Sequence, residues 1–384
     1  MNKIKVGDLT PNKVFESNLY IGNGSLFLCK HVPLTADDVN RLIKWQIDDV
    51  YSGEEQDVVD KGDLSKVFER FVKDRVTFAT IYEKCIGTVK ENFTSFQSNN
   101  IMSLGRMKEV VNELHSMVAK NANLLLNVIN AREVTIESHF FVRSTDVAAL
   151  SLMIGNAIGL PDERLKSLGI GSLLYDVGML KMNQALVRKI GKFSAEEFQQ
   201  MKMHTIVGFK LLVQVFRLDP ETALIAAEHH EQVDGKGYPR GLKGDKISQF
   251  SKIVSIAQAF EGITKNESRP DTKRGLYDAM KIILQEAPTK YDTDMVKVFL
   301  STMSLYPVGS LVAMNDGRKS VVFMPNPNVP MRPIIKIIFD ANDNYLPDGE
   351  IINLVDEKTV FIKGIETNAV LVMKAANELY KIRE

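Results

Sequence analysis

Cysteine is nearly absent from this chain, which has only Cys29 and Cys85 among its 384 residues. The two lie far apart and form no CxxC pair. Neither a disulfide framework nor a cysteine zinc site is expected, and a reducing compartment follows. An excess of either charge is also missing, since Lys plus Arg and Asp plus Glu stand at 48 each. A chain that bound nucleic acid or an anionic membrane surface over its whole length would be visibly basic. No stretch approaches the roughly 20 apolar residues needed to cross a bilayer, and Met1 to Val6 carries no apolar signal-peptide core. The expectation is a soluble, cytoplasmic protein with no nucleic-acid and no membrane partner. What is present is 45% hydrophobic content, ample for two or three packed domains.

The pattern divides the chain into three parts. Residues 1–52 read as a small α/β segment. Its apolar runs Lys13 to Tyr20 and Ser25 to Cys29 flank Gly22-Asn23-Gly24, a hairpin signal. Thr35 with Asp38 three residues on caps a helix from Ala36 to about Ile47, and a strand follows at Asp49 to Tyr51. Residues 54–306 read as helical. Val147, Leu150, Ser151, Ile154 and Ile158 fall on one helix face. Asp219-Pro220 starts a helix, and Asp234 to Ser248 is a glycine-rich loop. From 307 to 384 the period becomes two, with strands expected at Ser320 to Phe323, Ile334 to Phe339 and Val360 to Ile362 before a final helix from Asn368 to Ile382. The fold class is mainly α, a helical bundle with a small α/β segment before it and a β-rich extension after it. There is no internal repeat.

Six histidines are the next signal: His31, His115, His139, His204, His229 and His230. His31 and His115 read as partnered or surface residues. The adjacent pair His229-His230 ends the apolar run Leu224 to Ala227 and leads into the glycine loop. Neighbouring residues at a helix end point about 100° apart, yet both can converge on an ion beyond the helix axis. Imidazole nitrogen and aspartate oxygen suit iron, manganese or zinc. Spacing alone does not say which Asp completes such a site.

The eleven residues from His229 to Pro239, His-His-Glu-Gln-Val-Asp-Gly-Lys-Gly-Tyr-Pro, resemble the HHExxDGxGYP signature of HD-GYP proteins. Leu173 to Met179 is similar to that family's LLHDIGK, His204 to Gly208 to its HPxxG, and Ile253 to Thr264 to the helix bearing its last metal-binding Asp. The resemblance covers about residues 130–340, and the N-terminal segment resembles one often found ahead of this domain. It implies an HD-type helical bundle in which two or three metal ions, often iron, hold a hydroxide that attacks a phosphodiester of cyclic di-GMP, a bacterial signalling nucleotide. One ion's ligands match Asp176, His204, His229 and His230, all retained.

The partner ion's ligands are not retained. The family's upstream histidine matches Arg143, its HD histidine matches Tyr175, and its final aspartate matches Gln258. Arginine does not give up its proton to ligate a metal, and Tyr and Gln substitute poorly for imidazole and carboxylate. Met179 stands where the family has a lysine. His139 lies near the carboxylate that serves a third metal, and it reads either as a further ligand or as a buried or capped histidine. One divalent ion at most is expected. Arg143 is expected to form a two-pronged pair with Asp176 in place of the lost cation.

The loop residues Asp234, Gly235, Gly237, Tyr238 and Pro239 are retained. In the family this loop lies by the substrate and is linked to contacts with GGDEF-domain proteins; alternatively, Gly235 and Gly237 serve turn geometry alone. Arg269-Pro270 resembles a family pair whose arginine grips phosphate. Asp271 replaces an aromatic, and Lys273 lies one residue beyond the expected lysine. Three readings follow: a degenerate member that binds cyclic di-GMP, a related nucleotide or a partner with little or no hydrolysis; an active phosphodiesterase using a reduced metal site; or an interaction scaffold with a vestigial pocket. A homodimer is compatible with each.

Overall fold

The computed structural model describes residues 2–21, 26–28, 33–44, 49–53, 61–130, 139–189, 191–265, 275–303, 306, 308–326, 332–357, 359–366 and 368–380. The chain opens with an antiparallel sheet of β1 (Asn2–Lys5), β2 (Asn18–Ile21), β3 (Leu26–Leu28) and β4 (Asp49–Gly53), in the order β1-β4-β2-β3. Helix α1 (Ala36–Lys44) covers it, and Leu34, Leu42 and Val50 share its core. The Thr35–Asp38 cap forms in both directions, at 3.0 and 3.1 Å. The run expected from Lys13 becomes a strand only at Asn18, because Val14 makes a single bridge to Pro33. The expected turn at Gly22 to Gly24 lies outside the described residues.

Two long helices, α2 (Lys61–Asn99) and α3 (Leu104–Asn130), fold back on each other. In α2, Phe71, Phe78, Tyr82, Val89, Phe93 and Phe96 recur at spacings of three, four or seven, and all are buried. This is the stripe that an amphipathic helix buries. At 39 residues α2 is about 58 Å long. Its end is closed from outside, since Lys181 Nζ donates to Phe96 O at 2.8 Å and places a cation on the helix C-terminus.

Helix α4 (His139–Ala157) runs through the centre, packed by α2, α3, α5 (Asp162–Leu173), α9 (Gln249–Thr264) and α11 (Thr293–Thr302). The expected single apolar face is therefore only part of it. Ala148, Ala149, Leu152 and Met153 are buried as well, and Ile158 lies just beyond the helix end. The other helices are α6 (Gln184–Val187), α7 (Ala195–Lys210), α8 (Pro220–Glu228), α10 (Leu276–Glu286) and α12 (Ala369–Tyr380).

The C-terminal sheet is antiparallel in the order β8-β7-β6-β5-β9, built from β5 (Leu311–Met314), β6 (Lys319–Met324), β7 (Ile334–Phe339), β8 (Ile351–Asn353) and β9 (Ile362–Ile365). The strand expected at Val360 starts two residues later. β5 and β8 carried no strong alternation over three or four residues and were not expected. One side of the sheet encloses its own core around Val312, Val322 and Ile335. Val321, Phe323, Ile338 and Phe339 instead join the helical core. The fold is mainly α with a β-rich C-terminal unit.

Candidate metal centre

Three stretches of chain meet at one point, and local chemistry fixes each. Asp176 stands in the turn after α5, just before the short 3-10 helix Val177–Lys181. His204 is buried on α7, whose start is fixed by a capping box between Ser194 and Glu197. His229 and His230 follow α8, whose N-cap Asp219 accepts from Thr222 N at 2.9 Å. Gly178 brings the first two stretches together. A Cβ there would lie 2.0 Å from His204 O, so only glycine lets α7 rest on the turn that carries Asp176.

His204 Nε2 lies 3.3 Å and His229 Nε2 3.5 Å from Asp176 Oδ1, and the two Nε2 atoms are 3.2 Å apart. One ring nitrogen of each of His204, His229 and His230 falls within 4.8 Å of the others. The far ring nitrogens are already engaged, as His204 Nδ1 donates to Met201 O at 2.5 Å and His229 Nδ1 to Ile225 O at 3.1 Å. A neutral ring that donates through Nδ1 presents a bare lone pair at Nε2. Two such lone pairs therefore face Asp176 Oδ1, a buried atom with no hydrogen-bond partner. Three acceptors at this range repel one another unless a cation lies among them. Ligand atoms about 2.1 Å from one ion sit roughly 3.0–3.4 Å apart at bond angles between right and tetrahedral. The donor set fits one divalent ion.

The electrostatics agree. Burial alone would raise the Asp176 carboxyl, but contact with His229 and the fields of His204 and His229, which act only while those rings carry a second proton, together with the permanent charge of Arg143, hold it well below the usual carboxylate range. Burial lowers His204. It lowers His230 strongly, with the neighbouring imidazoles adding to the effect, so both rings are held in the neutral form that ligates.

Three described groups beside the centre, Tyr175, Gln258 and Arg143, are poor ligands for a second ion. Tyr175 is fully buried, edge-on to His229 with centroids 5.0 Å apart, and burial raises its phenol so that it keeps its proton. Gln258 donates Nε2 to His229 O at 2.6 Å, which braces the histidine backbone. Arg143 Nε lies 3.1 Å from Glu261 Oε2. This corrects the expected two-pronged pair with Asp176. Glu261, three residues after Gln258 on α9 and 1% exposed, takes the guanidinium, and Arg143 reaches Asp176 only through its field. Burial opposes the charge on Arg143, but the carboxylates of Glu261 and Asp176 hold it above its ordinary value. Glu261 was missed from sequence, although an acidic residue inside the apolar run Ile253 to Ile263 was the available signal. Met179 is half-buried in the 3-10 helix.

The glycine loop is drawn back over the site. Glu231, 3% exposed, accepts from Arg240 N at 2.8 Å and Leu242 N at 2.9 Å. Glu228 pairs with Arg240 and accepts from Ser248 N at 2.9 Å, the start of α9. Asp234 accepts from Lys236 N at 2.9 Å. Gly235 sits at φ +82°. A Cβ at Gly237 would lie 2.4 Å from Gln232 N and Glu231 Cα. Both glycines are thus required by the turn. Tyr238 N donates to His230 O at 3.2 Å, and its ring stacks on His230 at 4.6 Å and 20°, with a cis bond to Pro239. Arg269 and Lys273 lie outside the described residues, as does the side chain of His139, which opens α4. His115 is remote from the centre, 3.9 Å from Asp162.

Residues 126–295 match a family model described as an HD domain, and residues 311–371 match a KOW domain associated with HD domains. Among curated proteins, the chain is 24% identical over 278 residues to the cyclic di-GMP phosphodiesterase PA4108 of Pseudomonas aeruginosa. That match covers 72% of this chain and 66% of the relative. It is 30% identical over 193 residues to the cyclic di-GMP phosphodiesterase response regulator RpfG of Xanthomonas campestris, covering 50% and 48%. The chain thus spans about half to two thirds of the length of these relatives. Among solved structures, Bd1817, an HDG"Y"P protein from Bdellovibrio bacteriovorus, aligns with a TM-score of 0.46 at 19% identity, covering 78% of this chain and 97% of that one. No helix among the described residues is long and apolar enough to cross a membrane. The domain match shows an HD domain over residues 126–295, and the named relatives together with the run from His229 to Pro239 support membership of the HD-GYP family of HD-domain proteins.

Proposed function

We propose that this chain binds a cyclic dinucleotide of the cyclic di-GMP type in a pocket built on a single-ion site, and hydrolyses it slowly or not at all. The observation that carries the reading is the Arg143–Glu261 ion pair at 3.1 Å beside Asp176. Its guanidinium is a permanent cation that no metal can use as a ligand. Paired ions stabilise charge on both the attacking and the leaving oxygen of a phosphodiester, and among the described residues a second ion has neither a further imidazole nor a free carboxylate to hold it.

Asp176, His204, His229 and His230 would hold the one ion, which would supply Lewis-acid polarisation of a phosphate oxygen. The chain's own groups do the rest. Arg143 offsets the charge of Asp176 and Glu261, Gln258 fixes the His229 backbone, and the stapled loop sets Tyr238 against His230. A slow phosphodiesterase using that single ion is the second reading, favoured by the relatives named as phosphodiesterases.

The test is calorimetric titration of the manganese-loaded protein with cyclic di-GMP, while linear product is followed by chromatography in the same sample. Binding heat with little or no product is expected. Rapid product formation would overturn the reading, and neither heat nor product would leave only a scaffold. His204→Ala should lose the ion, and unchanged metal content would count against the retained ligand set.

A further inference from the structure

The aromatic contact between His230 and Tyr238 does not stop at Tyr238. Phe198, on the first turns of α7, meets the Tyr238 ring edge-on at 6.0 Å and 76° and remains 44% exposed. Lys202, one turn further along the same face of α7, holds its ammonium 4.7 Å from the Phe198 centroid and 5.2 Å from that of Tyr238. It is half-buried and forms no ion pair with a carboxylate among the described residues. A single exposed apolar residue is ordinary on a protein surface. Here, however, the exposed ring ends a continuous row that starts at a candidate metal ligand and carries an unneutralised cation beside it.

We propose that Phe198 and Lys202 extend the metal centre into a platform for a cyclic dinucleotide, with Phe198 stacking one purine base and Lys202 directed at the phosphate next to it. Aromatic rings recognise bases through their faces, and a lysine serves phosphate as a point charge. The platform rests on the reading that a cyclic dinucleotide binds at this centre, and it adds the residues that discriminate a base-bearing ligand from any other phosphodiester. Neither residue touches the ion's ligand atoms, so both are specificity residues whose loss leaves the metal in place.

The experiment is calorimetric titration of the full chain with cyclic di-GMP, with metal content measured on each sample. Phe198→Ala should weaken binding about tenfold or more at unchanged metal content, while Phe198→Trp should bind as the unaltered protein does. Lys202→Gln should weaken binding and flatten its dependence on salt, as expected when one phosphate contact is lost. If the unaltered protein binds and Phe198→Ala binds within twofold of it, the platform is wrong while the nucleotide reading stands. If the unaltered protein does not bind cyclic di-GMP, both fall together.

Discussion

At the scale of single residues, the centre is defined by which atoms carry protons. His204 and His229 spend Nδ1 on backbone carbonyls, and this leaves Nε2 bare toward Asp176. The pH dependence follows. Burial lowers His204 and His230, so below the ordinary imidazole value of about 6.5 the unfolded chain binds more protons there than the folded one. Their contribution to stability is present above that value and is lost as pH falls below it. Asp176, held low, adds stability that is complete above about 3.9 and fades only below it. Metal-stripped protein should therefore melt at a lower temperature at pH 5 than at pH 7 as His204 and His230 take up protons on unfolding. An unchanged or higher melting temperature at pH 5 in calorimetry would contradict their buried, neutral state.

At the scale of elements, the centre depends on how closely α7 lies on the turn after α5. Gly178→Ala should push α7 away, since the new Cβ would meet His204 O and Gly208 N. A cost of about 1–3 kcal/mol and loss of metal uptake are expected in denaturant titration and metal analysis, and retained metal affinity would argue against the close approach. A second brace lies outside the site. Asp146 on α4 accepts from Tyr82 on α2 and pairs with Lys265 Nζ at 2.5 Å, at the end of α9. Asp146 and Lys265 are 0% and 6% exposed, so Asp146→Ala leaves a buried ammonium without its counterion. Chemical denaturation should register about 3–5 kcal/mol of lost stability, and a loss below about 1 kcal/mol would show that water reaches the pair.

How much of this could be read from sequence differs from element to element. Local signals with their own chemistry were legible: the Thr35 cap, the Asp219-Pro220 helix start and the glycine loop each state their geometry within a few residues. The run His229 to Pro239 pointed to the family, and its two histidines lie with His204 in one cluster, His229 also 3.5 Å from Asp176. Long-range pairings were not legible. Whether Arg143 would choose Asp176 or Glu261 depends on the packing of α4 against α9, and no spacing rule encodes that. The same holds for the row from His230 to Phe198, whose two ends are 32 residues apart in the chain.

At the scale of the whole molecule, the C-terminal sheet is bound into the helical core. Phe323 on β6 meets Phe68 on α2 edge-on at 5.3 Å, and Lys336 Nζ lies 4.7 Å from the Phe68 centroid. Phe323→Ala should cost about 3 kcal/mol or more and lower the melting temperature of the helical body by several degrees. If scanning calorimetry instead showed a separate sheet transition falling while the helical transition stayed fixed, the two cores would be independent. The alternation in β6 and β7 announced this unit. Its attachment was hidden, because a strand buried on both faces carries no mark of which neighbour covers it.

On the reading proposed above, one ion is held, and Arg143, Tyr175 and Gln258 bar a second. Its most direct measurement is the number of iron, manganese or zinc ions per chain, by elemental mass spectrometry on protein purified with metal in excess and then desalted. One ion per chain, lost in Asp176→Ala, is the expected result. Two tightly held ions per chain would contradict it.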